Sequence, residues 1–167
     1  MDALDFLDPE DYFHGLCSSN RYAKKHNFHC CSCSGIDTIE GPLEQFKREN
    51  AFFCTDDTAD GQFFQGRGGG WFMRRTFTVF IMHRYTFNDM KDRKAKLAVC
   101  RNLFRQIVSK MLVDSDSPDN EYAYLHTESI LSRNFGKYFL NGCTGLYFMI
   151  DISEPVDLRY INEEWDN

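Results

Sequence analysis

The sequence predicts an α+β fold: a mostly antiparallel, twisted sheet packed against one long amphipathic helix, with an additional helix at the N-terminal end. Three stretches predict it. Residues 71–85, WFMRRTFTVFIMHRY, are dominated by aromatic and β-branched side chains that suit a pleated, half-buried surface. From residue 88 to 112 Met90, Leu97, Cys100 or Arg101, Phe104, Ile107 or Val108, and Met111 recur every three or four positions. Lys91, Asp92, Lys94, Lys96, Arg105 and Lys110 fill the other side, which predicts a helix with one apolar stripe. In residues 143–153, Leu146, Phe148, Ile150 and Ile152 alternate with Tyr147, Met149 and Asp151, the period of a strand with one buried face.

The strand over 71–85 would reach about 50 Å at ~3.3 Å per residue, so a bulge, a bend or an arm projecting beyond the body is expected. Trp71, Met73, Phe77, Val79 and Ile81 form its more continuous apolar face and are expected to meet the core. A chain of 167 residues fits one domain over 1–167, with residues 1–26 as an N-terminal helical segment and 27–165 as the sheet-plus-helix body.

The formal charge is −6 and the pI about 5.3, so the whole-molecule field does not favour nucleic acid or an anionic membrane, and direct nucleic-acid binding is not expected. Sixteen phenylalanines point to a dense core or to aromatic surface kept for a partner. Seven cysteines are an odd number, and Asp2, Asp5, Asp8, Glu10 and Asp11 stand where a secretory leader would be basic and apolar. Reduced thiols in a cytoplasm are therefore expected. No apolar run approaches the roughly 20 residues of a membrane helix, so no membrane role is expected.

In chain order, Asp8 as N-cap and Pro9 at the first helical position start a helix that runs to about Lys25, whole or in two pieces around residues 18–20. Residues 26–35 read as a short strand with His29, Cys31 and Cys33 on one face and Phe28, Cys30 and Ser32 on the other. A short helix over 43–48, with Leu43 and Phe46 inward, leads to a strand at 51–55. Residues 56–61 read as a hairpin turn, and 66–70, GRGGG, as a flexible connection into the long strand. After the long helix, 114–120 is a polar loop, and 122–126 and 130–134 are short strands or irregular. Asn141-Gly142 suggests a hairpin turn. Pro155 is expected to end the last strand, and the apolar groups of the tail, Val156 to Trp165, to dock on the body.

Few residues suggest chemistry. His26, His29, Cys30, Cys31 and Cys33 are of the types zinc prefers, yet they are crowded into one strand where a structural site needs two separated knuckles; buried small thiols are the alternative reading, and no cofactor is expected. Asp56, Thr58, Asp60 and Gly61 open like a calcium loop, but the twelfth position is Arg67 where a bidentate acid belongs. The glycines of 66–70 lack the Lys-Ser/Thr of a phosphate loop. A small enzyme would need several of His83, Cys100, Glu128, Cys143 and Asp151 gathered in one pocket, and no catalytic motif is present. Arg74, Arg75 and Arg84 interleave with Trp71, Phe72 and Phe77 as on a single-strand-binding surface, but on an acidic chain salt bridges or subunit contacts are the expected role of these arginines.

The order of elements carries a resemblance. A leading helix, FFCTDD, a glycine-rich loop into RRTFTVFI, a long helix and GCTGLYFMIDISEPVDL together resemble small phage or prophage tail-completion and tail-terminator-like proteins, over most of residues 20–165. The cysteine cluster lies outside that pattern. The resemblance implies a structural, non-enzymatic virion assembly protein: a subunit of a tail-completion or neck ring, with copies of itself and other phage tail or neck proteins as partners. It implies assembly in the cytoplasm and residence in a virion or tail-like particle. No catalytic residues follow from it. Arg67, Gly68, Gly69, Gly70 and Trp71 are the expected contact residues, and a ring would need head-to-tail contacts between unlike faces. The alternatives are a zinc-binding or nucleic-acid-binding module built on the cluster from His26 to Cys33, or a small enzyme.

Overall fold

Asp8 accepts hydrogen bonds from the backbone of Glu10 and Asp11, and Pro9 takes the first helical position, where no N–H is needed; helix α1 (Pro9–Ser19) follows. The computed structural model describes residues 6–136 and 142–166. Asn20 closes α1, and its side-chain oxygen accepts from the Ala23 N–H at 2.7 Å to open α2 (Arg21–Lys25), so the N-terminal segment is in two pieces. The same carboxamide donates to Gln106 Oε1 at 3.1 Å, tying the junction to the long helix. Asn20→Ala is expected to cost roughly 1–2 kcal/mol, one cap and one side-chain hydrogen bond. The readout is a lowered urea midpoint at unchanged slope; an unmoved midpoint would contradict this assignment.

The sheet is mostly antiparallel, in the order β1 (Phe28–Cys33), β2 (Ala51–Asp56), β4 (Trp71–Arg84), β6 (Cys143–Val156), β5 (Leu131–Asn134), with β3 (Asp60–Gln65) also paired to β4. Among the described residues only β1 and β2 run parallel. Its axis is the β4–β6 ladder, in register from Trp71 opposite Val156 to Arg84 opposite Cys143. Helix α4 (Met90–Ser115), capped by Asp89, crosses one face. There Phe53, Phe77, Val79, Ile81, Phe148, Ile150 and Ile152 pack with Phe13 and Leu16 of α1 and with Cys100, Leu103, Ile107 and Met111 of α4. The opposite face holds Phe52, Cys54, Phe80 and Met82 under Ile39, Phe135 and Leu43, the last from helix α3 (Glu40–Gln45).

The structure corrects several expectations. Residues 56–59 do not turn the chain back: Thr55 lies opposite Val79 and Asp60 opposite Thr76, so four residues face two, and β2 and β3 are one interrupted strand along β4. Asp56 explains the interruption, because its Oδ1 accepts from Gly35 N, Thr58 N and Thr58 Oγ1 and folds the chain out as a bulge. Helix α3 begins at Glu40 where residue 43 was expected, since Pro42 is tolerated in a first turn that needs no donor there. Met90 is half exposed, and Leu103 takes the core place that the spacing had assigned to its neighbours. Pro155 does not stop β6; β5 reaches only Met149, so the end of β6 is an edge where a missing N–H costs no ladder bond. Val156 is buried as the last residue of β6, but Tyr160 and Trp165 stack on each other and stay 68% and 62% exposed, so the tail beyond Val156 does not dock as expected. The turn expected at Asn141-Gly142 lies partly outside the described residues.

Candidate protein-docking interface

Past the end of the helical layer, β3, the first half of β4 and the end of β6 continue as a three-stranded arm. Six pairs, from Asp60 opposite Thr76 to Gln65 opposite Trp71, hold β3 to β4. Where the glycine run predicted a flexible connection, residues 66–70 form a hydrogen-bonded hairpin turn: Gly66 N–H donates to Gly70 O at 2.8 Å, Gly69 N–H to Gly66 O at 2.9 Å and Gln65 Nε2 to Gly69 O at 2.9 Å. Gly69 sits at φ +87°, a region L side chains enter only with strain. Arg67, Gly68, Gly69 and Gly70 are all exposed at its tip.

Register places partners on a common face. Phe64 stacks on Phe72 with ring centroids 5.5 Å apart, and the Arg74 guanidinium lies over Phe64 at 4.9 Å. The other face carries Trp71 and Phe63, 43% and 51% exposed, and half-buried Met73. Trp71 and Met73 thus share the face of Phe77, Val79 and Ile81, as the alternation predicts. They are not buried with them, because no helix reaches that far.

At the arm's root Arg75 donates to Glu154 Oε2 at 2.6 Å and to Leu7 O at 2.9 Å, and Leu7 N–H donates to Glu154 Oε1 at 2.8 Å. Phe6 and Phe77 each lie 4.9 Å from the same guanidinium. This ion pair straps the segment before α1 across the arm's base; the salt bridge expected of Arg75 is there, but its partner could not be named because Glu154 is remote in the chain.

The other candidates are dispersed. Alternation along β1 splits the thiols: Cys30 lies toward Cys17 on the α1 side, whereas Cys31 and Cys33 face Cys54 on the opposite side. A hydrogen bond with Cys17 lowers the Cys30 pKa, while that bond and burial push Cys17 well up; hydrogen bonds with Cys31 and Cys33, then burial, push Cys54 up likewise. His29 rests against Phe46, centroids 4.0 Å apart, and His26 against Tyr22 at the end of α2. Among the described residues no three His, Cys, Asp or Glu side chains are arranged to hold a metal.

Nor do the enzyme candidates gather. Asp151 accepts from Thr76 Oγ1 at 2.6 Å, seven ladder positions from His83 and so on the order of 23 Å away. His83 hydrogen-bonds the Arg84 carbonyl, Cys100 is in the core on α4, Cys143 is buried in the cluster on the sheet's opposite face, and Glu128 is exposed beside His126. Arg84 is spent on the carbonyls of Leu43 and Glu49. No helix among the described residues is long and apolar enough to cross a membrane.

Fold and site together define a class: an α+β protein whose central ladder outruns its helices and ends in a bare aromatic arm. Compared with known proteins, the chain matches no family model, no curated protein and no solved structure.

Proposed function

We propose that this protein is a structural, non-enzymatic assembly subunit of the phage or prophage type. Its copies join head to tail in a tail-completion or neck ring and dock onto a tail tube or connector. The observation that supports this most is the outer edge of β3. Among the described residues no strand pairs with it, and its sequence DGQFFQ holds no lysine and no proline, the usual guards against edge-to-edge pairing. An unguarded edge beside exposed Phe63 and Trp71 suits addition of a partner's strand, in which main-chain bonds supply affinity and side-chain pockets supply choice. The β3–β4 arm of one copy would meet an unlike surface on the next, as ring closure requires.

The test is sedimentation velocity on the full chain and on a Phe63→Pro/Trp71→Ala variant. Proline removes an N–H from the six-residue edge strand, and alanine removes the apolar anchor. The wild type is expected to sediment as an oligomer and the variant as a monomer with an unchanged circular dichroism spectrum. A variant that assembles like the wild type would remove the arm from the interface.

A further inference from the structure

The acidic total hides a basic face. Arg21, Lys24 and Lys25 are exposed on α2, and along α4 Lys91, Lys94, Arg101 and Arg105 are exposed at spacings of three, seven and four, which set them in one stripe opposite the buried residues Cys100, Leu103 and Ile107. The hydrogen bond from Asn20 to Gln106 sets α2 beside α4. Burial, then the charges of Lys25 and Lys96, lower the pKa of His26, so Lys96 of α4 is within electrostatic reach of the end of α2. Residues 21–26 and 91–105 hold nine of the nineteen Lys and Arg but one of the twenty-five acids, Asp92: a local balance of +8 on a molecule whose remainder is −14. At physiological ionic strength fields decay over about 8 Å, so a partner touching this face meets the local sign and not the total.

We propose that the α2–α4 face docks the phosphate backbone of double-stranded DNA without reading its sequence. The residue types decide against the other polyanions. Cores of protein interfaces are depleted in lysine and rich in aromatics; this face has four exposed lysines, Ala95 and Ala98 as its short outward residues, and no exposed large apolar side chain between Met90 and Leu112. The aromatic surface is elsewhere, on the arm. Single strands need stacking platforms, and the face has none exposed. An anionic membrane would need a continuous apolar face to insert. What the face offers is a straight row of flexible cations. From Lys91 to Arg105 it covers about 21 Å of helix axis, some six base pairs of a duplex stiff enough to lie along it. The expectation of no direct nucleic-acid contact came from the net charge, and the segregation of charge removes its premise.

The test is fluorescence anisotropy of the full chain with a fluorescein-labelled 20-base-pair duplex. About five neutralised phosphates give a slope near −4.5 in log affinity against log salt, with equal affinity for a scrambled duplex. Lys91→Glu/Lys94→Glu/Arg101→Glu, all solvent-facing, is expected to weaken binding at least tenfold and flatten the slope while leaving the circular dichroism melt unchanged. No binding by the wild type at 50 mM salt, an unchanged affinity in the triple variant, or tighter binding to phosphatidylserine vesicles or polyglutamate than to the duplex would overturn the proposal. The arm variant separates this from the assembly reading: it is expected to lose association while the monomer keeps its salt-dependent DNA binding.

Discussion

Replacing Gly145 with alanine is expected to leave little soluble folded protein, or to cost about 4 kcal/mol or more where it can be measured. Gly145 lies within β6 opposite Met82 of β4, at φ +144°. A Cβ there would stand 2.0 Å from the Ile81 carbonyl oxygen and 3.0 Å from the Met82 Cα. Both obstacles are backbone, so no rotamer change relieves them; the ladder itself would have to part. Parting it would also disturb the Phe135 N–H, which donates to the Gly145 carbonyl at 2.9 Å. Losses of this size arise only from a short list of mechanisms, and backbone strain within a core ladder is one of them. Gly68→Ala, with nothing within 4 Å of the added carbon, is the control and should change the unfolding free energy by less than about 0.5 kcal/mol. Equal midpoints for the two variants would contradict the packing described for β4 and β6.

Arg75→Met is expected to cost roughly 3–5 kcal/mol, the penalty of leaving a buried charge unpaired. Glu154 is 6% exposed, and without Arg75 only the Leu7 N–H would contact its carboxylate. The guanidinium also loses Phe6, Phe77 and the Leu7 carbonyl, so the strap before α1 should come free. Removing both charges together differs: Arg75→Met/Glu154→Leu has no orphan ion and should recover most of the loss, since apolar replacement of a buried pair is often near neutral. The double-mutant cycle in urea reads this directly. If the single variant loses less than 1 kcal/mol, the pair is solvated and does not anchor the arm's root.

What was legible in the sequence follows from how locally each feature is encoded. β4, α4 and β6 carry long periodic patterns, and periodicity alone assigned Phe77, Val79 and Ile81, and Leu146, Phe148, Ile150 and Ile152, to the core. β3 was hidden because DGQFFQ does not alternate and its strand state is set by pairing with β4. The bulge at Asp56 read as a hairpin because Asp and Gly serve either turn, and only the register tells a two-residue offset from a reversal. The Arg75–Glu154 pair and the Gly145–Ile81 contact join residues 79 and 64 positions apart, where no local pattern reaches. The candidate interface was named by its tip, from Arg67 to Trp71, and missed its edge. The basic face was legible in principle. A count along 91–105 finds six bases against Asp92, but the chain-wide total had cancelled them.

Native mass spectrometry of the full chain measures the central claim most directly. The expected species is a discrete closed multiple of the 19.6 kDa subunit that collapses to one subunit when Phe63 and Trp71 are replaced. A wild type that flies as a single 19.6 kDa chain at every concentration tried, its β3 edge bare, would contradict it.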